Sequence, residues 1–159
     1  MSVYEVNTEI YNKIVSNENF KKQKKYMQHG EYSVYDHVIN VTNTCYHLAN
    51  KLNMNIDYDS LVKGALLHDY FLYDWHEKSK YHRLHGIRHP KFALKNAIRD
   101  YNINEIEKNM ILSHMFPLGT CIPKYKESIL LCCVDKYCAV VETLRGNKVI
   151  KKAKLIFNI

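Results

Sequence analysis

Glycine and proline are scarce in this chain, with five and three among 159 residues. So few turn-formers over that length exclude a fold of many hairpins and favour long helices. Long apolar runs are missing too. No stretch approaches the roughly 18 apolar residues of a membrane span. The N-terminus, Met1-Ser-Val-Tyr-Glu, lacks the charged-then-apolar pattern of a secretory signal. The expectation is a cytoplasmic protein with no membrane partner. No Cys-x-x-Cys pair occurs, which excludes a zinc-knuckle reading of the five cysteines. Cys132, Cys133 and Cys138 fall in one predicted helix, where buried, reduced thiols are expected. Aromatic-plus-basic RNA motifs are absent, so no specific nucleic-acid partner is indicated.

What is present is an ordinary globular composition, 47% hydrophobic and 25% charged, of a length that suits one domain with its own core. The net charge of +7 fits nucleic acid, an anionic substrate or simply a soluble basic surface. Lysines cluster only at Lys21-Lys22-Gln23-Lys24-Lys25 and Lys151-Lys152-Ala153-Lys154, which read as solvated helix faces. No repeat or low-complexity linker divides the chain.

Periodicity predicts a succession of helices. Val3, Val6, Ile10 and Ile14 mark a first one, from Val3 to Val15, and Asn17 to Tyr26 suits a short second one broken by His29-Gly30. Ser33 is placed to cap a long helix to about Leu52, with a stripe of Val34, Val38, Val41, Cys45, Leu48 and Leu52. Asp57 or Asp59 opens the next helix. The connection from Tyr70 to His89 is rich in His, Arg and aromatics, which favours a functional loop. Pro90 fits the first position of a helix to Asp100, carrying Phe92, Ala93, Ala97 and Ile98, with His89 at its entrance. Asn104 and Glu107 match a capping-box spacing. A helix from about Tyr125 to Leu144 and a terminal one over Asn147 to Ile159 complete the series.

The most informative stretch is Leu61-Val-Lys-Gly-Ala-Leu-Leu-His68-Asp69-Tyr70. Leu61, Ala65 and His68 share one helical face, and Val62, Leu66 and Asp69 form the adjacent stripe. A carboxylate on a core-facing stripe is costly unless paired or bound to a cation. A capped His-Asp pair at a helix end accounts for the dipeptide alone as well as a metal does. Matching residues elsewhere tilt the balance. His37 lies on the Val34–Val41 stripe, His89 stands at a helix entrance, and His114 follows Ile106 and Met110 at successive i+4 positions. Asp135 interrupts the apolar face of Leu131, Val134, Cys138, Val141 and Glu142. This mixture of imidazole and carboxylate suits iron, manganese or zinc. Six ligands exceed the four of a structural zinc site and fit two ions sharing a bridge, for which Asp69 is the natural choice.

The order His37, His68-Asp69, Asp135 resembles the HD-domain metal-dependent phosphohydrolase superfamily. His89-Pro90 and His114 match the additional histidines of its dinuclear members. The resemblance covers roughly Tyr32 to Thr143, and the run His68-Asp69-Tyr-Phe-Leu-Tyr-Asp74-Trp75-His76-Glu77 looks like a bacterial branch. It implies an all-α bundle with a metal site between helices. A single domain over 1–159 would have its core at about 32–143 and helical extensions at both ends. It further implies two divalent transition-metal ions, iron or manganese with zinc as the alternative, and Asp69 at the centre of catalysis. The implied reaction is hydrolysis of a small phosphate ester, nucleotide-like or otherwise, by a metal-activated water. His85, Arg88 and Lys136 are the expected phosphate contacts, with His76 and His82 as weaker candidates. Family elements tied to particular substrates are missing: Met115-Phe116-Pro117-Leu118 follows His114 in place of a Gly-Tyr-Pro element, a Lys shortly after the His-Asp pair is absent, and Leu72 replaces an acid. The same ligand set also resembles di-iron oxygenases of the superfamily. A non-enzymatic nucleotide-binding module with a metal is the third reading.

Overall fold

The computed structural model describes residues 8–29, 31–74 and 85–146. Seven helices occur among them: α1 (Thr8–Val15), α2 (Glu18–Lys21), α3 (Val34–Lys51), α4 (Tyr58–Leu67), α5 (His85–Asp100), α6 (Glu105–Ser113) and α7 (Lys126–Gly146). Among the described residues the fold is all-α apart from one small antiparallel hairpin of β1 (Met27–His29) and β2 (Tyr32–Ser33). No helix among the described residues is long and apolar enough to cross a membrane. Val3, Val6 and the expected terminal helix lie outside the described residues.

Helix boundaries follow local chemistry. Asn17 caps α2, its side chain accepting from the main-chain N–H groups of Asn19 and Phe20. The expected helix to Tyr26 stops sooner, passing through a 3₁₀ turn at Lys22–Lys25 into β1. Lys21, Lys22, Lys24 and Lys25 are exposed there, while Gln23 is buried. Ser33 caps α3 in a reciprocal capping box with Asp36. Asp57, rather than Asp59, caps α4 by accepting from Ser60 N–H at 3.0 Å. Asn104 and Glu107 form the expected capping box of α6.

The start of α5 departs from expectation. The helix begins at His85, so Pro90 is its sixth residue and not its first. A proline there removes a single ladder bond, the one its N–H would give to Gly86, early enough for the helix to continue. His89 consequently sits inside the helix and is buried. Of the apolar residues that α5 carries, Ala93 and Ala97 are buried, whereas Ile98 is 57% exposed. Cys133 is exposed although Cys132 and Cys138 are buried. It stands roughly 200° around α7 from the buried Leu131, at about 100° per residue.

Helix α4 is the hub, packing chiefly against α3 and α6 and more lightly against α1, α7 and α5. Its two stripes enter separate apolar clusters. Val62 and Leu66 join Ile14, Phe20, Val34 and Val38, whereas Leu61 and Ala65 join Val41, Cys45, Met110 and Leu131. Gly64 permits the close approach of α6, since a Cβ there would meet the Met110 sulfur at 2.5 Å. His68 and Asp69 leave α4 along these two stripes, at the seam between the clusters.

Asp100 ties the N-terminal segment to this core. Its carboxylate accepts from Tyr70 Oη at 2.8 Å, from Asn19 Nδ2 at 3.3 Å and from Arg99 Nε and Nη2 at 2.7 and 2.6 Å. The Arg99 contact holds its carboxyl down to about 2, with Tyr70 and Asn19 adding to the effect against partial burial. A lowered carboxylate stabilises the fold above its ordinary value, roughly 3.9, and that contribution is lost as pH falls toward the folded value. Asp100→Ala should therefore lower stability by about 1–3 kcal/mol near neutral pH. In urea titrations of both proteins, the gap between them should shrink from pH 4 to pH 2.

Candidate metal centre

Five elements deliver six side chains to one buried point. His37 comes from the second turn of α3, His89 from α5 and Asp135 from the middle of α7. His68 and His114 occupy the C-caps of α4 and α6, and Asp69 follows His68. All six are buried. The groups His37, His68, Asp135 and His68, Asp69, His114 each bring three ligand-type atoms within 4.8 Å of one another.

Helix ends explain two of the imidazole orientations. Carbonyls in a last helical turn lack main-chain donors. His68 Nδ1 lies 2.7 Å from Ala65 O, and His114 Nδ1 lies 2.7 Å from Ile111 O. Each ring donates Nδ1–H to the carbonyl three residues back and turns Nε2 inward. His37 reaches the same result through a side chain, with Nδ1 at 2.7 Å from Glu142 Oε2. Asn40 Nδ2 in turn donates to Glu142 Oε1 at 2.8 Å. Imidazoles held at one nitrogen and presented at the other are the arrangement that metal sites use.

Asp69 divides the centre in two. Its Oδ1 lies 3.1 Å from His89 Nε2 and 3.4 Å from His114 Nε2. Its Oδ2 lies 3.6 Å from His68 Nε2 and 3.9 Å from His37 Nε2. Asp135 Oδ1 sits on the second side, 3.0 Å from His37 Nε2 and 3.4 Å from His68 Nε2. On the first side, His89 Nε2 and His114 Nε2 approach to 2.7 Å.

Hydrogen bonding alone does not complete this cluster. His68 Nε2 and Asp69 Oδ1 are buried without a hydrogen bond. Such an orphan costs about 1–3 kcal/mol. A cation beside Asp69 would be a partner for both atoms, so the donor set fits a divalent metal. Burial opposes the charge on Asp69, but the imidazoles of His68, His89 and His114 around it hold its carboxyl well below the usual range. Burial likewise works against a charged His37. The bonded carboxylates of Asp135 and Glu142 outweigh it and hold the imidazole up at about 10. At His114 burial prevails and pushes the imidazole down.

A cavity of about 730 Å³ opens onto this cluster, with Asp69, His89, His114 and Asp135 at its lining. Lys136 also lines it, its ammonium donating to His114 O at 2.9 Å and Cys132 O at 3.1 Å. Arg88 is exposed, outside the described cavity lining, with its guanidinium 5.9 Å from the Phe92 ring centre. The His85 side chain lies outside the described residues, as do His76, His82 and the His29 side chain.

Two residues of the centre escape a reading of the sequence. Glu142 follows Asp135 by two helical turns on the same face of α7, so the reasoning that isolates Asp135 applies equally to it. Gln28 had no comparable signal. It arrives on β1, held by the hairpin and by Val34 N–H donating to Tyr26 O at 2.8 Å. Gln28 Nε2 donates to Asp69 Oδ2 at 2.6 Å, and its own Oε1 is buried without a partner.

The family model described as HD domain matches residues 34–140. No curated protein and no solved structure matches the chain.

Gln28 is a positioning residue for the Asp69 carboxylate. Gln28→Leu should weaken binding of Mn(II) by about 10- to 100-fold, read by calorimetry on metal-stripped protein. Gln23→Leu, which changes a buried glutamine of the same segment away from the cavity lining, should leave that affinity within twofold. Thermal unfolding of the metal-free forms separates loss of affinity from loss of fold.

Proposed function

Because the chain belongs to the HD-domain family, we propose that it is a metal-dependent phosphohydrolase acting on a small phosphate ester. The observation that carries this reading is the division of Asp69 between two imidazole groups. Oδ1 faces His89 and His114, and Oδ2 faces His37 and His68. His37, His68, Asp69 and Asp135 would hold one divalent ion, and Asp69, His89 and His114 a second. Iron or manganese suits this donor set, with zinc as the alternative. Such ions, when bound, lower the pKa of water to near neutrality and polarise a phosphoryl oxygen.

The chain's own groups do the rest. Asp69, fixed by Gln28, keeps both halves of the centre in register. Glu142 holds His37 through Nδ1 and so turns its Nε2 toward Asp69 and Asp135, where an ion would bind. Lys136 brings an ammonium to the cavity wall, where it can meet phosphoryl charge. Arg88 and His85, in the first turn of α5, are the further phosphate contacts in this reading. The cavity spans a volume at which substrate sites ordinarily bury most of their ligand.

Elemental analysis of untagged protein, paired with assays on an aryl phosphate and an aryl phosphodiester, tests the reading. About two equivalents of iron, manganese or zinc together with hydrolysis is the expected result. Two irons with no hydrolysis would favour an oxygenase instead. No metal as purified, and none taken up on reconstitution, would overturn the metal centre. Asp69→Ala should lose both ions and lower the unfolding midpoint; a variant that retained full metal content would refute the bridging role.

A further inference from the structure

The cavity over the candidate centre is far larger than a phosphoryl group needs, and its walls are not built for a polar body. Away from the ligand residues and from Gln28 and Lys136 it is bounded by Met115, Pro117 and Leu118 from the segment after α6 and by Ala139 on α7. Gly86 stands across from Leu118, where an added Cβ would lie 3.4 Å from the Leu118 side chain. Ala139 also lines a second hollow of about 260 Å³ that continues over Val140, Thr143 and Leu144. The two hollows share Ala139, so apolar lining continues from the cavity toward Val140 and Leu144 on α7. Leu118, Val140 and Leu144 are 59%, 59% and 49% exposed along it. Contiguous exposed apolar surface that joins a polar centre marks a binding site more often than an accident of packing.

Charge narrows the occupant further. Lys136 is the one Lys or Arg lining the cavity among the described residues, and its ammonium already serves two carbonyls. Away from the metal centre, the described wall offers a polyphosphate chain that single ammonium. A sugar would set its hydroxyls against Met115, Pro117 and Leu118, whose side chains offer no hydrogen bond.

We propose that the substrate is a phosphate ester of an elongated apolar alcohol. Its phosphoryl end would lie at the ions that Asp69, His89, His114 and Asp135 would help to hold, and its apolar end along Leu118, Ala139 and Val140. This rests on the phosphohydrolase reading above. Hydrolysis breaks the ester P–O bond: the water oxygen stays on phosphorus, and one water proton leaves with the alcohol.

The test is calorimetry of methyl-, butyl- and hexylphosphonate on the Mn(II)-loaded full chain, beside hydrolysis of the matching alkyl phosphates. Phosphonates resist hydrolysis, so affinity is read apart from turnover. Each added methylene that enters the path should tighten Kd about three- to fourfold, from roughly 0.8 kcal/mol per buried methylene. Leu118→Ser should flatten the whole series, and Val140→Ser should reduce the gain only for the hexyl member. Equal Kd for methyl- and hexylphosphonate, or tighter binding of adenosine monophosphate than of hexylphosphonate, would overturn the inference. Esters cleaved without any dependence on chain length would leave the hydrolase and remove the apolar site. A full affinity series with no cleaved ester would do the reverse.

Discussion

A carboxylate only 2% exposed, set among four imidazoles, is the constraint on which the rest of this structure turns. Desolvating a carboxylate is among the largest single costs a small domain can carry. The helices are arranged so that the compensation is shared. α4 brings Asp69 to the seam between two apolar clusters, α3 and α7 bring one set of partners, and α5 and α6 bring the other. The hub position of α4 and the glycine that admits α6 both serve that convergence. An apolar replacement of the six residues would pack more simply, and the retention of so much polarity at the centre of the core is itself an argument for chemistry there.

The hairpin adds a component from outside the residues that match the HD domain. Its strands are too short to stabilise themselves, and they lean on α3 and α7. In that position they carry the Gln28 amide to Asp69. The N-terminal segment is therefore part of the centre, and Asp100 fastens it to the core through Asn19 and Tyr70.

Much of this was legible in the sequence, and the reasons are physical. Helical spacing exposed the two stripes of α4, and those stripes enter two different clusters. Caps at Ser33, Asp57 and Asn104 could be read because each needs a particular side chain at a particular spacing. His37, His114 and Asp135 stood out because each lies on an apolar stripe, and His68-Asp69 because they continue the two stripes of α4. Pro90 misled, since the rule that places proline in a first turn does not forbid it in the second. Cys133 misled because an apolar side chain need not be buried. Gln28 was beyond reach: a two- or three-residue strand has no period, and a glutamine beside Met27 and His29 looks like any turn.

The centre also distributes its vulnerability unevenly. The rings of His68 and His114 are steered by carbonyls of the main chain, which every amino acid supplies. Their aim is thus written into the ends of α4 and α6, and replacing the side chains of Ala65 or Ile111 does not erase it. His37 is aimed by Glu142, which in turn leans on Asn40, so a chain of two side chains stands behind a single ligand. Sequence drift can pass through the first two supports unnoticed, whereas the third can be lost in one codon.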